Sequence, residues 1–184
     1  MRAVRLGDTI CTVFSTYRND YMIQGKTPSQ SAVESRYMLM PHQANQYGTA
    51  FGGVIMAWID MIAAMAAQRH CGREVVTAGI DSLSFREAIA VGEHAVLKAS
   101  VNYAGHTSME VGVRVIREDP YYGRQTIATT AHLTFVALDK EKHPVEVPPI
   151  LPQTDDEKRR YENAKLRVEA RKDLLKKLKR EYRA

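Results

Sequence analysis

The chain has 184 residues, 45% of them apolar and 26% charged, which is enough to bury a core as one domain with an appendage and excludes a disordered, collagen-like or purely coiled-coil chain. Its net charge of +5 sits in residues 151–184, where 12 Lys/Arg face 7 Asp/Glu; the body is neutral, so charge does not point to a nucleic-acid partner. Two cysteines, Cys11 and Cys71, offer neither a disulfide framework nor metal-ligand spacing and fit free thiols in a reducing compartment.

Residues 1–35 show no clear period and no continuous apolar run of a secretory signal, so they read as a loosely ordered lead-in. Arg36 to Met40 reads as a short strand stopped by Pro41, and His42 to Gly53 as a loop. From Val54 to His70 the spacing predicts a helix, apolar on nearly every side and therefore buried, ending at Cys71-Gly72. Its longest apolar run, Val54–Ala67, is too short to span a bilayer and carries Asp60, so the expectation is a soluble cytoplasmic protein.

Four runs of strand character follow, at Glu74–Phe85 and around 95–103, 107–115 and 127–137, the last three alternating apolar and polar side chains. The links at Gly105-His106 and Pro120–Gly123 are too short for parallel crossovers, so these strands are expected to be antiparallel neighbours. One helix followed by a curved antiparallel sheet is an α+β layout. Pro144 to Pro152 reads as a proline-rich linker, and Thr154-Asp155-Asp156-Glu157 as a capping box that opens a helix running to about Tyr182. Along that helix Tyr161, Ala164, Val168, Arg171, Leu175, Leu178 and Tyr182 form a thin seam in a 3-4 spacing. The chain thus divides into residues 1–35, a domain at 36–149 and a linker-plus-helix at 150–184.

Three features could carry chemistry. Asp60 lies in the most apolar segment, with Arg69 the nearest cation in sequence; an unpaired carboxylate there needs a partner or a task. Gly52-Gly53 precedes the helix, where backbone N–H groups are free and no side chain bars a ligand oxygen, although a tight turn alone would also explain the pair. Asn45 can donate and accept at once, but by composition alone an Asx turn is the simpler account of it. The histidines at 42, 70, 106 and 132 show no metal spacing, and no nucleophile elbow, Walker loop or dinucleotide fingerprint is present, so no metal is expected.

Pro41-x-x-Ala44-Asn45-x-x-Gly48-x-x-Phe51-Gly52-Gly53, then Trp58-Ile59-Asp60, Val75-Val76-Thr77-Ala78, Asp81-Ser82-Leu83-x-Phe85, Gly105-His106-Thr107-Ser108-Met109-Glu110-Val111 and Phe135–Asp139 resemble, in register, the acyl-CoA thioesterases of the hot-dog fold. The resemblance covers Tyr37 to Pro149. It implies a central helix wrapped by an antiparallel sheet and hydrolysis of fatty acyl-CoA to free fatty acid and CoA. It further implies protomers paired into one continuous sheet, dimers assembled as a trimer of dimers (a hexamer), and active sites shared between chains. On it, Asp60 is the catalytic carboxylate, as general base or as nucleophile, and Asn45 its partner from the facing subunit. Backbone N–H groups of Gly53 and Val54 stabilise the oxyanion, and Gly105, His106, Thr107 and Ser108 bind CoA, with His106 standing where relatives commonly have Arg or Lys. The CoA thioester is substrate, no cofactor is expected, and the partners are acyl-CoA and further copies of the chain, without nucleic acid or membrane. A non-catalytic acyl-CoA sensor on the same fold is the alternative, against which Asp60 argues.

Overall fold

The structure is a computed structural model that describes residues 23–181; Cys11, most of the expected lead-in and Tyr182 lie outside them. A single turn of helix, α1 (Pro28–Ser31), leads into β1 (Val33–Met38), and a 3-10 turn at Pro41–Gln43 precedes the long helix α2 (Gly52–Cys71). Four strands follow, β2 (Glu74–Phe85), β3 (His94–Ala104), β4 (Ser108–Glu118) and β5 (Gln125–Leu138), and then α3 (Asp155–Glu181). The strands form one antiparallel sheet in the order β1-β3-β4-β5-β2, which leaves β1 and β2 as its edges.

Period-two patterning sets which face is buried. Ala95, Leu97, Ala99 and Val101 of β3, Met109, Val111, Val113 and Val115 of β4, and Ala131, Leu133, Phe135 and Ala137 of β5 all join the core. Against them α2 lays Ile55, Trp58, Ile59, Ile62, Ala63, Ala66 and Ala67, with Trp58 stacked on Tyr37 of β1 at 4.7 Å. Gly72 ends α2 in the left-handed conformation at φ 66°, its N–H donating to the Gln68 carbonyl. Chain direction then reverses within two residues, so β2 starts beside the end of the helix.

Four expectations need correction. Residues 33–35, placed with the lead-in, are the start of β1, because Val33–Met38 pairs residue for residue with β3. The helix is not buried all round: Met56, Met61 and Met65 are 40–47% exposed, spread over the half of its circumference that its own sheet does not cover. Asp60, expected in apolar burial, is only half-buried beside that face. The proline stretch is no loose linker, since Val145, Val147, Leu151 and the Pro149 carbonyl make backbone bonds to Ala137, His106 and Lys26, and Val147 and Ile150 enter the core.

The capping box at α3 forms in both senses: Glu157 N–H donates to Thr154 Oγ1 and Thr154 N–H to Glu157 Oε2. The helix crosses the sheet's outer face, opposite α2. Tyr161 packs on Tyr103 of β3, Arg167 holds the buried Glu110 of β4, and Arg171 bonds Thr134 of β5 and Asp81 of β2. The layers are therefore α2, sheet and α3.

Candidate active site

Asp60 lies two turns past the start of α2. Thr77 Oγ1, on the neighbouring β2, donates to Asp60 Oδ1 at 2.7 Å, leaving Oδ2 free of any protein bond among the described residues. No cation pairs with Asp60 among them either. A register shift between Thr77 and Gly79 breaks the pairing of β2 with β5 just beyond this threonine. Such a bulge re-aims side chains locally. One carboxylate oxygen is thus held by a hydroxyl while the other faces the open side of the helix.

At the helix N-terminus the expected donor pair, Gly53 and Val54, needs correction at Val54. Val54 N–H already donates to the Phe51 carbonyl at 2.9 Å, whereas Gly52 and Gly53 N–H have no acceptor among the described residues. The free donors at the positive end of α2 are therefore those of the two glycines. A Cβ at Gly53 would sit 2.5 Å from the Phe51 ring, so glycine there also lets that ring lie against the helix start. Beside it is a cleft of about 360 Å³ lined by Ala50, Gly52, Ile55, Phe85, Ile89 and Thr129.

Asn45 is an Asx-turn residue and something more. Its Oδ1 accepts from Tyr47 N–H at 3.0 Å, Thr49 N–H at 3.3 Å and Thr49 Oγ1 at 3.2 Å. With the oxygen so occupied, the side chain's unused capacity is its Nδ2 donor. The loop it staples, closed by Asn45 N–H to the Thr49 carbonyl, packs beside the N-terminal end of α2 through Ala50 and Ile89.

The turn Gly105–Ser108 is closed by Gly105 N–H donating to the Ser108 carbonyl at 2.7 Å. His106 points into solvent, its Nδ1 3.9 Å from Glu146. Ser108 pairs with Val136 near the β5 terminus that joins the first residue of β2, whereas Phe85, at the last residue of β2, lines the cleft at Gly52. Within one chain, then, this turn and the helix N-terminus lie at opposite ends of the sheet. No hydrogen bond joins Asn45 to Asp60.

Sequence reasoning missed Thr77. Its block contributed to the resemblance, but a hydroxyl on a strand facing a helix has no spacing signature in one dimension. Among the described residues no group of three or more His, Cys, Asp or Glu could hold a metal ion.

The thioesterase superfamily profile matches residues 47–123. YkhA of Bacillus subtilis, named an uncharacterized acyl-CoA thioester hydrolase, is 40% identical over 144 residues, covering 78% of this chain and 84% of that one. An acyl-CoA hydrolase from Staphylococcus aureus, solved with butyryl coenzyme A, coenzyme A and coenzyme A disulfide, is 41% identical; it superposes with a TM-score of 0.79 over 85% of this chain and 97% of its own. That enzyme has also been solved as alanine variants of an asparagine, an aspartate and a threonine, whose separations along its chain equal those of Asn45, Asp60 and Thr77 here. An apo-hexameric acyl-CoA thioesterase matches with 41% identity and a TM-score of 0.81, over 83% of this chain and 98% of that one.

Proposed function

Since the chain belongs to the thioesterase superfamily, we propose that it is a catalytic acyl-CoA hydrolase, turning fatty acyl-CoA and water into a free fatty acid and coenzyme A. The observation that carries the mechanism is the half-anchored Asp60 carboxylate, with Thr77 on one oxygen and no partner among the described residues on the other. The free Oδ2 takes a proton from water as its oxygen attacks the thioester carbonyl. Gly53 N–H and the positive end of α2 stabilise the oxyanion, aided by the Asn45 Nδ2 donor of a facing protomer. As the intermediate collapses the C–S bond breaks, the thiolate leaves with the electron pair, and the proton held by Asp60 goes to it. A general base supplies roughly 10²–10⁴-fold and one oxyanion donor about 3 kcal/mol.

Two features support a site shared between chains. The catalytic groups are spread along the sheet, and the chain exposes apolar side chains on the elements that carry them: Met56, Met61 and Met65 on α2 and, on the edge strand β2, Ile80 and Phe85 on the α2 side and Val76 on the outer side. Pairing of two β2 edges covers that set and joins two sheets into one, and it brings the Gly105–Ser108 turn of one protomer toward the helix start of the other. Dimers so formed assemble as a trimer of dimers and work in the cytoplasm, as the similarity to cytosolic acyl coenzyme A thioester hydrolases supports. No helix among the described residues is long and apolar enough to cross a membrane.

Release of thiol from acyl-CoA, followed with a chromogenic disulfide, tests the assignment. Asp60→Asn is expected to lose at least about a hundredfold in kcat while keeping the oligomeric mass of the parent. A variant with near-parental turnover removes Asp60 from the mechanism.

A further inference from the structure

The stripe of α3 that begins buried ends exposed. Ala164 and Val168 are 0% and 7% exposed, tucked against the chain's own sheet. Four and seven residues beyond Arg171 on the same stripe, Leu175 and Leu178 are 50% and 39% exposed, with Leu174 beside them at 56%. At 100° per residue these three leucines fall within an arc of about 100°, and Lys172, Asp173, Lys176 and Lys177 occupy the remainder of the circumference. The segment is amphipathic, with its apolar face on the side that faces the sheet earlier in the helix.

Where that face ends up follows from the path of the helix. From Tyr161 over β3 to Arg171 over β2, α3 advances ten residues, about 15 Å, while crossing three strand intervals, about 14 Å. The helix therefore runs nearly perpendicular to the strands. Arg171 is the last strut to the chain's own sheet, gripping Asp81 on the free-edge strand. Seven more residues carry Leu178 about 10 Å further, two strand widths past that edge. Among the described residues of one chain there is no sheet beneath it.

We infer that Leu174, Leu175 and Leu178 of α3 reach across the free edge of β2 and dock on the outer face of a second copy of this chain. This rests on the reading that two β2 edges pair. It adds a contact on the sheet face opposite α2, where that reading places none. The occupant is a second copy because the continuation of the sheet past β2 is what the leucines overhang, and the lysines lie outside the leucine arc, where they stay in water. By two-fold symmetry each protomer contributes one such arm, so every substitution acts twice per dimer.

Two measurements on the full chain test it. In the first, sedimentation of the parent and of the Leu175→Glu/Leu178→Glu variant over a concentration series gives the dimer dissociation constant, expected to rise about a hundredfold in the variant. The substituted leucines are half-exposed and outside the core, so folding is retained. In the second, hydrogen exchange of the parent is expected to show amides 172–178 protected when assembled and fast after dilution to monomer, as befits a short helical arm without a partner. A parent that stays monomeric at every concentration overturns both the β2 pairing and the docked arm. An assembled parent whose dissociation constant is indifferent to the leucines, or whose arm exchanges fast in the dimer, overturns the arm alone. Leucine-dependent binding to phosphatidylglycerol vesicles with unchanged self-association assigns the face to a membrane surface and equally overturns it.

Discussion

Removing the guanidinium that holds Glu110 should destabilise the protein more than any loss of a surface ion pair. The Glu110 side chain has no exposed surface, and both its oxygens are held by Arg167, Oε1 at 2.6 Å and Oε2 at 3.2 Å. Burial pushes its carboxyl above the ordinary carboxylate range even with Arg167 in place. Arg167→Met keeps the length of the side chain and deletes the charge, leaving an ionised carboxylate without a cation. Breaking such a pair from one side costs about 3–5 kcal/mol, or roughly 6–20 °C in Tm for a chain of this size. The sign with pH follows from the raised value. A carboxyl that binds its proton more tightly in the folded state is penalised while ionised, above that value, and relieved as pH falls through it. The deficit of Arg167→Met should therefore be largest at neutral pH and shrink on acidification. Adding Glu110→Gln to the same chain should recover most of it. Thermal melts of the parent, Arg167→Met, Glu110→Gln and the double variant at one concentration and several pH values make the test. A deficit under about 1 kcal/mol, or one that ignores both pH and the second substitution, refutes the argument.

Thr77→Val should lower kcat about tenfold or more by releasing Asp60 Oδ1 while changing Tm little, since Thr77 is exposed; Thr77→Ser should restore most of the loss, and an unchanged kcat in the valine variant counts against the site. His132, bonded to Ser82 at 3.0 Å, is held down to about 4 by burial, with the Arg167 charge adding to the effect, against an ordinary 6.5. The unfolded chain therefore takes up a proton as pH drops from 6.5 towards 4 while the folded one does not, and stability falls across that window by about 1 kcal/mol once its partial exposure is discounted. Melts of His132→Gln across the same range should show a shallower decline, and parallel curves would remove His132 as the cause. Gly72→Ala should cost about 1 kcal/mol, because its φ of 66° suits glycine although a Cβ there would meet nothing within 4 Å; a stability equal to the parent's by urea titration contradicts this.

The elements of the fold were legible because each depends on local pattern. Val111, Val113 and Val115 alternate with Gly112 and Arg114, and the strand they announce is there; Thr154 and Glu157 announce a helix start and make both capping bonds. What sequence did not reveal depends on pairing at a distance. β1 begins at Val33 because β3 supplies partners for it, and nothing in residues 33–35 says so. The prolines around 148 read as linker, yet His70 Nε2 reaches the Pro148 carbonyl at 2.7 Å and the segment is strapped to the core. At the site, Asp60 and Gly53 stood out as residue types in unusual company, while Thr77 did not, since a threonine in a strand is ordinary until a helix is laid against it.

The open face of α2 explains why apolar periodicity misled in one respect and informed in another. A helix apolar all round is read as enclosed by its own core, but here one chain supplies only half the enclosure. Met56, Met61 and Met65 face outward beside the edge strand that carries Val76, Ile80 and Phe85. Large apolar side chains left exposed in this number signal a surface meant to be covered, and long flat strand edges left bare invite uncontrolled pairing. On the proposed pairing a second chain closes over the face that Asp60 borders and limits water there to what the reaction consumes. On that proposal the closure that covers the methionines also completes the site, and the apolar excess that looked like core is the part the other protomer finishes.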